Sequence, residues 1–103
     1  MNLTKRPDLN DKKNIVISVS IVDDKEIQVL NKKYLDHDYA TDVLSFNMDE
    51  DHDGEYYLGD VVVNKQQAQR QASEFGNTTE EEISELVAHG VLHLLGVHHD
   101  GDE

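Results

Sequence analysis

Cysteine is absent from this 103-residue chain, and lysine plus arginine number only 9 against 22 aspartates and glutamates, a formal charge of -13. Without thiols neither a disulfide nor a thiolate ligand is available, so any bound metal rests on His, Asp or Glu. Cysteine-free chemistry fits a reducing compartment. No apolar run approaches membrane-spanning length, and Met1-Asn2-Leu3-Thr4-Lys5-Arg6-Pro7-Asp8 has no apolar stretch of the signal-peptide kind. A soluble, cytoplasmic protein without a membrane partner is the expectation. Hydrophobic residues make up 37% of the chain, which predicts a single small domain over 1–103 with a modest core.

What is present is concentrated near the C-terminus, where four of the six histidines lie between residues 85 and 100. His89 and His93 are four apart, so on a helix they share one face and both imidazoles can reach one ion. Gly96 follows, able to adopt a left-handed conformation and end the helix, and His99 comes three residues later as a third ligand. Three imidazoles suit one zinc ion and leave a fourth position open for water, the catalytic rather than the structural arrangement. Zinc lowers the pKa of such a water to near neutrality. The same spacing occurs in a class of zinc peptidases, but those carry a glutamate as general base directly after the first histidine, where this chain has Gly90. The competing reading is a buried helix whose histidines are satisfied internally.

The run His89-Gly90-Val91-Leu92-His93-Leu94-Leu95-Gly96, closed by His99, resembles the signature of the YbeY family of metal-dependent endoribonucleases, which act in ribosomal RNA maturation. Thr41-Asp42-Val43-Leu44-Ser45-Phe46 and Leu58-Gly59-Asp60-Val61-Val62-Val63 agree with it in the same order, so that the resemblance covers about two-thirds of the chain. It implies a zinc-dependent nuclease of single-stranded RNA, with ribosomal RNA as substrate and ribosomal particles or proteins as partners. Three positions depart from the pattern. Leu35 stands where relatives carry an arginine implicated in function, and leucine cannot grip phosphate as a guanidinium does. Val97-His98 replaces a Tyr-Asp pair, and the chain stops at Glu103, where relatives generally continue. By its spacing His99, not His98, is the expected third ligand.

The acidic balance opposes phosphate binding, which normally rests on Lys and Arg. Acid clusters at 49–55, 80–85 and 100–103, however, so the remaining segments can form a local basic path. Lys32, Lys33 and Arg70 are the candidate substrate contacts, against the alternative that each is ordinary solvated surface.

Periodicity predicts the frame. Residues 15–21 alternate with apolar residues at the odd positions, a strand. Asp23 with Glu26 forms a capping box for a helix from about 24 to 34. Residues 42–46 and 56–63 read as two further strands separated by an acidic loop over 47–55. Residues 49–54 match the start of a calcium-binding EF-hand loop, with Asp60 at the twelfth position, but strand-like flanks favour a solvated hairpin. His37 and His52 lack partners at ligand spacing and read as polar surface. Asn64 caps a helix with an apolar stripe of Ala68, Ala72 and Phe75, ended by Gly76. Thr78 and Thr79 with Glu81 and Glu82 offer two overlapping capping boxes for a last helix, apolar almost all round and hence expected to be buried and central.

The expected architecture is α+β, a small mixed β-sheet packed with helices, the central one carrying the two metal-binding histidines. The leading functional expectation is a zinc-dependent endoribonuclease. The alternatives are a non-catalytic metal-binding ribosome-assembly factor and a metal hydrolase of another substrate. The catalytic side chains beyond the metal ligands are not assigned by the sequence.

Overall fold

The computed structural model describes residues 2–3 and 14–98. A three-stranded mixed sheet has the order β2-β4-β3, where β2 is Asn14–Val22, β3 is Val43–His52 and β4 is Glu55–Asn64. β2 runs parallel to β4, and β3 pairs with it antiparallel through a hairpin. Helix α1 (Asp24–Leu35) connects β2 to β3, while α2 (Lys65–Phe75) and α3 (Thr79–Leu94) follow β4. Two short strands, β1 (Asn2–Leu3) and β5 (Val97–His98), pair antiparallel as a separate ladder. Among the described residues no helix is long and apolar enough to cross a membrane.

Local chemistry sets the helix boundaries. The Glu26 amide donates to Asp23 Oδ1 at 2.8 Å, and the Glu26 side chain accepts in return from the Asp23 amide, completing the predicted capping box. At the start of α3 one of the two possible boxes prevails: Thr78 is the N-cap and Glu81 its reciprocal partner. The Thr78 amide, and after it the Thr78 hydroxyl, hold the Glu81 carboxyl below its ordinary pKa. Asn64, fully buried, caps α2 through the amides of Gln66 and Gln67. Its amide nitrogen also donates to Asp24 Oδ1 and to the Thr41 carbonyl, tying α1, the segment leading into β3 and α2 to one side chain.

The sheet separates two clusters. On one face Tyr56, Leu58, Val61 and Val63 of β4 pack with Ala68, Leu86 and Leu94. On the other, Val62 packs with Leu44 and with Ile27 of α1. Adjacent strand residues normally point to opposite faces, so Leu58 and Val61 share a face only because the register slips. Val16 is opposite Tyr57 and Ile17 opposite Gly59, leaving Leu58 as the extra residue of a bulge.

Four expectations are corrected. The acidic segment is mainly strand rather than loop: β3 runs to His52 and β4 starts at Glu55, leaving Asp53 and Gly54 as the turn, with an irregularity between Asn47 and Glu50 where Asp49 has φ 51°. Cross-strand pairing outweighs the solvation preference of the acids, and a hairpin without flanking helices is no EF-hand. Phe75 is 66% exposed and leaves the α2 stripe, because α2 turns only Ala68 and Ala72 fully inward. Helix α3 is buried along one line, Glu82, Leu86, Gly90 and Leu94, whereas Leu92 is 39% exposed. It lies against the sheet, as expected, but buries one line rather than its whole circumference. The β1–β5 ladder was not anticipated at all, two residues being too few for a periodic signal.

Candidate metal centre

His89 and His93 lie on consecutive turns of α3, half-buried, with their Nε2 atoms 3.2 Å apart. The rings meet edge to face, centroids 4.7 Å apart and planes at 62°. Two imidazole nitrogens each about 2.0–2.1 Å from one tetrahedral zinc stand roughly 3.3–3.4 Å apart. The pair therefore fits a shared ion with little adjustment. Without a cation the same approach serves as a hydrogen bond, one ring donating to the other.

The surroundings fix that pair. Gly90, between the two histidines on the buried line, packs so closely on the sheet that a Cβ would stand 2.6 Å from Val61 Cγ1. Glycine in place of the peptidase glutamate thus has a steric reason, because a Cβ here forces either Val61 or the helix to shift. One turn on, Leu94 Cδ2 lies 2.9 Å from where a Cβ on Gly59 would be. Asn47 of β3 donates from Nδ2 to the Leu94 carbonyl at 2.9 Å, satisfying one of the acceptors that a helix end leaves open. Gly96, φ 86°, takes the predicted left-handed turn, and its amide donates to the His93 carbonyl at 3.0 Å. The chain then enters β5 through Val97 and His98, the His98 backbone opposite Asn2. His99 lies outside the described residues. Among the described residues no group of three or more His, Cys, Asp or Glu is arranged to hold a metal.

The candidate phosphate contacts are spread more widely. Lys32 and Lys33 sit in the last turn of α1, on the sheet face opposite α3; Lys32 Nζ lies 3.6 Å from Asp38 Oδ2, and Lys33 Nζ stands 5.1 Å from the Tyr34 ring centroid. Arg70 binds Asp24 in a two-point fork, 2.8 and 3.1 Å, linking α2 to α1. That fork, with the Asn64 bond, holds the Asp24 carboxyl below its ordinary range. Leu35, at the arginine position of the family pattern, closes α1 and is 42% exposed. His37 stacks on Tyr39, and His52 lies 3.5 Å from Glu50, each away from the α3 pair in sequence and element.

The sequence profile of the family described as Endoribonuclease YbeY matches residues 3–103. The chain belongs to the YbeY family. The endoribonuclease YbeY of Aquifex aeolicus (strain VF5) is 51% identical over 87 residues, covering 84% of this chain and 58% of the relative. That of Alkaliphilus oremlandii (strain OhILAs) is 46% identical over 91 residues, covering 84% and 60%. A Thermotoga maritima protein solved in solution superposes with a TM-score of 0.56 at 37% identity, over 87% of this chain and 57% of that one. The chain thus spans about three-fifths of the length of these YbeY relatives.

Sequence reasoning missed two features of the family chain's geometry. Asn47 was placed in a loop, although it holds the helix turn that carries His93. Ser18 and Ser20, given no role beyond their strand, and Asp60, weighed only as an EF-hand position, line a groove beside α1. The one signal for it was an acid, Asp60, inside an otherwise apolar run.

Proposed function

We propose that the chain provides the metal-holding core of an endoribonuclease that cuts single-stranded RNA, with His89, His93 and His99 binding one zinc ion and ribosomal RNA as the substrate. The observation that carries this reading is the Nε2 pair at 3.2 Å, followed by a left-handed glycine that turns the chain before His99. The names of the relatives support the nuclease activity. A zinc ion bound there supplies a Lewis acid and a water acidic enough to react near neutral pH. The protein's own contribution is positional: Gly90 seats α3 on the sheet, Asn47 holds its last turn, and the half-buried imidazoles present Nε2 on one side. Single strands suit a recessed site because an unstacked backbone can enter it, whereas a duplex holds its strands away. Lys32 and Lys33 are the proposed phosphate contacts. Arg70 serves better as the link to Asp24 it already makes.

The test is cleavage of a single-stranded ribosomal RNA fragment by metal-free protein with and without zinc, beside His93→Ala. Zinc-dependent cleavage lost in His93→Ala is expected; cleavage that persists in the variant would point to a contaminating nuclease. A 2′,3′-cyclic phosphate product would show that the 2′-hydroxyl attacks. A non-catalytic assembly factor is the second reading, favoured by the charge of -13 and by Leu35. It predicts zinc binding and ribosome association without cleavage.

A further inference from the structure

On the α1 face of the sheet lies a groove of about 470 Å³, within the size range of small-molecule sites. Its floor is one cross-strand row: Ser18 of β2 is opposite Asp60 of β4, which is opposite Phe46 of β3. Ser20 and Met48 extend the floor, and Tyr34 of α1, edge to face with Phe46 at 5.3 Å, forms a wall. Ser18 and Ser20 are exposed and Asp60 is half-buried, so the polar atoms of the groove stand open to a ligand arriving from solvent. The Tyr57 hydroxyl donates to Asp60 Oδ1. Burial, with the charge of Glu50 adding to it, pushes the Asp60 carboxyl above the usual carboxylate range.

We propose that this groove is a base-binding subsite that takes an unstacked guanine of the RNA substrate, the Asp60 carboxylate accepting from its Watson–Crick edge and Ser18 and Ser20 bonding its periphery. The inference rests on the nuclease reading above. Guanine is selected because a carboxylate only accepts, and guanine presents two adjacent N–H donors, at N1 and N2, that match its two oxygens. The Tyr34–Phe46 wall and Met48 supply the apolar faces on which unstacked bases are held. A neutral base also suits an acidic protein better than a phosphate does, and Lys33, its ammonium over the Tyr34 ring, stands beside the groove for the attached phosphate. β3, an edge strand, links the two sites: Asn47 bonds to α3, and its neighbours Phe46 and Met48 line the groove. A strand bent round that edge reaches both.

The experiment is an NMR titration of isotope-labelled, metal-free protein with each of the four nucleoside 5′-monophosphates and with the tetranucleotides UUGU and UUAU. GMP is expected to shift the Ser18, Ser20 and Asp60 amides saturably, about tenfold tighter than the other three. UUGU should bind tighter than GMP, and UUAU more weakly than UUGU. Asp60→Asn should erase the preference for guanine, while Ser20→Phe, filling the groove, should remove the shifts; melting curves check that both variants fold. No groove shift with any probe, or a preference unchanged in Asp60→Asn, overturns the subsite, as does GMP binding more tightly than UUGU. Guanine binding by a protein that never cuts RNA would defeat the nuclease reading but keep the pocket. Zinc-dependent cleavage with a silent groove would do the reverse.

Discussion

The two faces of the sheet are built to opposite tolerances. Beneath α3, Gly59 and Gly90 bring backbone and helix so close that neither position admits a methyl group without displacing its neighbours. Beneath α1, the helix covers Val62 and Leu44 at one end and leaves a groove of about 470 Å³ at the other. Both faces grow from the same strand, β4, and the bulge at Leu58 and Gly59 decides which residue looks which way. The contrast teaches that the tight face is suited to holding imidazoles in register, while the open face has room for a ligand.

The largest effect is expected from closing the tight face further. Gly59→Ala directs a Cβ into the Phe46 carbonyl oxygen, which is backbone and cannot swing aside. Destabilisation of about 3 kcal/mol or more is expected from urea unfolding, at or beyond the upper end of overpacking costs. Gly90→Ala meets Val61 side-chain atoms, which can give somewhat, so roughly 1–3 kcal/mol is expected. Its sharper readout is zinc affinity by competition with a chelator, which should fall as α3 tilts, although no ligand has been removed. Thr78→Ala loosens only the far end of the same helix; about 1 kcal/mol should be lost, with zinc affinity retained.

The open face should tolerate more. Leu35→Arg is expected to change stability by less than about 0.5 kcal/mol. On the nuclease reading proposed above, it should raise cleavage of free RNA more than cleavage within ribosomal particles, where a particle would itself hold the substrate close. The smallest expected effect concerns the Arg70–Asp24 fork that joins the two faces. Asp24 titrates below its ordinary 3.8, so the fork contributes stability at neutral pH and loses it as pH falls through the depressed folded value. Arg70→Met should therefore lower the melting temperature slightly at pH 7, the two curves converging in acid. Curves that stay parallel down to that range would show the fork to be inert.

Much of the frame was legible because it is local. The capping boxes of Asp23 and Thr78, the Asn64 cap and the left-handed Gly96 each depend on residues within a few positions, and the His89–His93 pair follows from helix geometry alone. What escaped depends on partners far along the chain. Acidic residues 47–52 are strand because β4 supplies their ladder, and Phe75 is exposed because α3 covers only the line of Ala68 and Ala72. Ser18 and Ser20 are solvent-facing, and only the placing of Leu30 and Tyr34 of α1 beside them makes a groove. Gly90 was read as a missing base; its packing against Val61 emerges only when helix and sheet are docked.

The small ladder of Asn2–Leu3 with Val97–His98 carries a consequence in time. It joins residue 2 to residue 98, the kind of long-range contact that is costliest to make early and the last to be rewarded during folding. The helix pair can form from neighbours, but Val97 and His98 are anchored only when Asn2 and Leu3 have come home. On the reading proposed above, a zinc ion offered to the folding chain would thus meet His89 and His93 before the Val97–His98 strand beyond them is fixed.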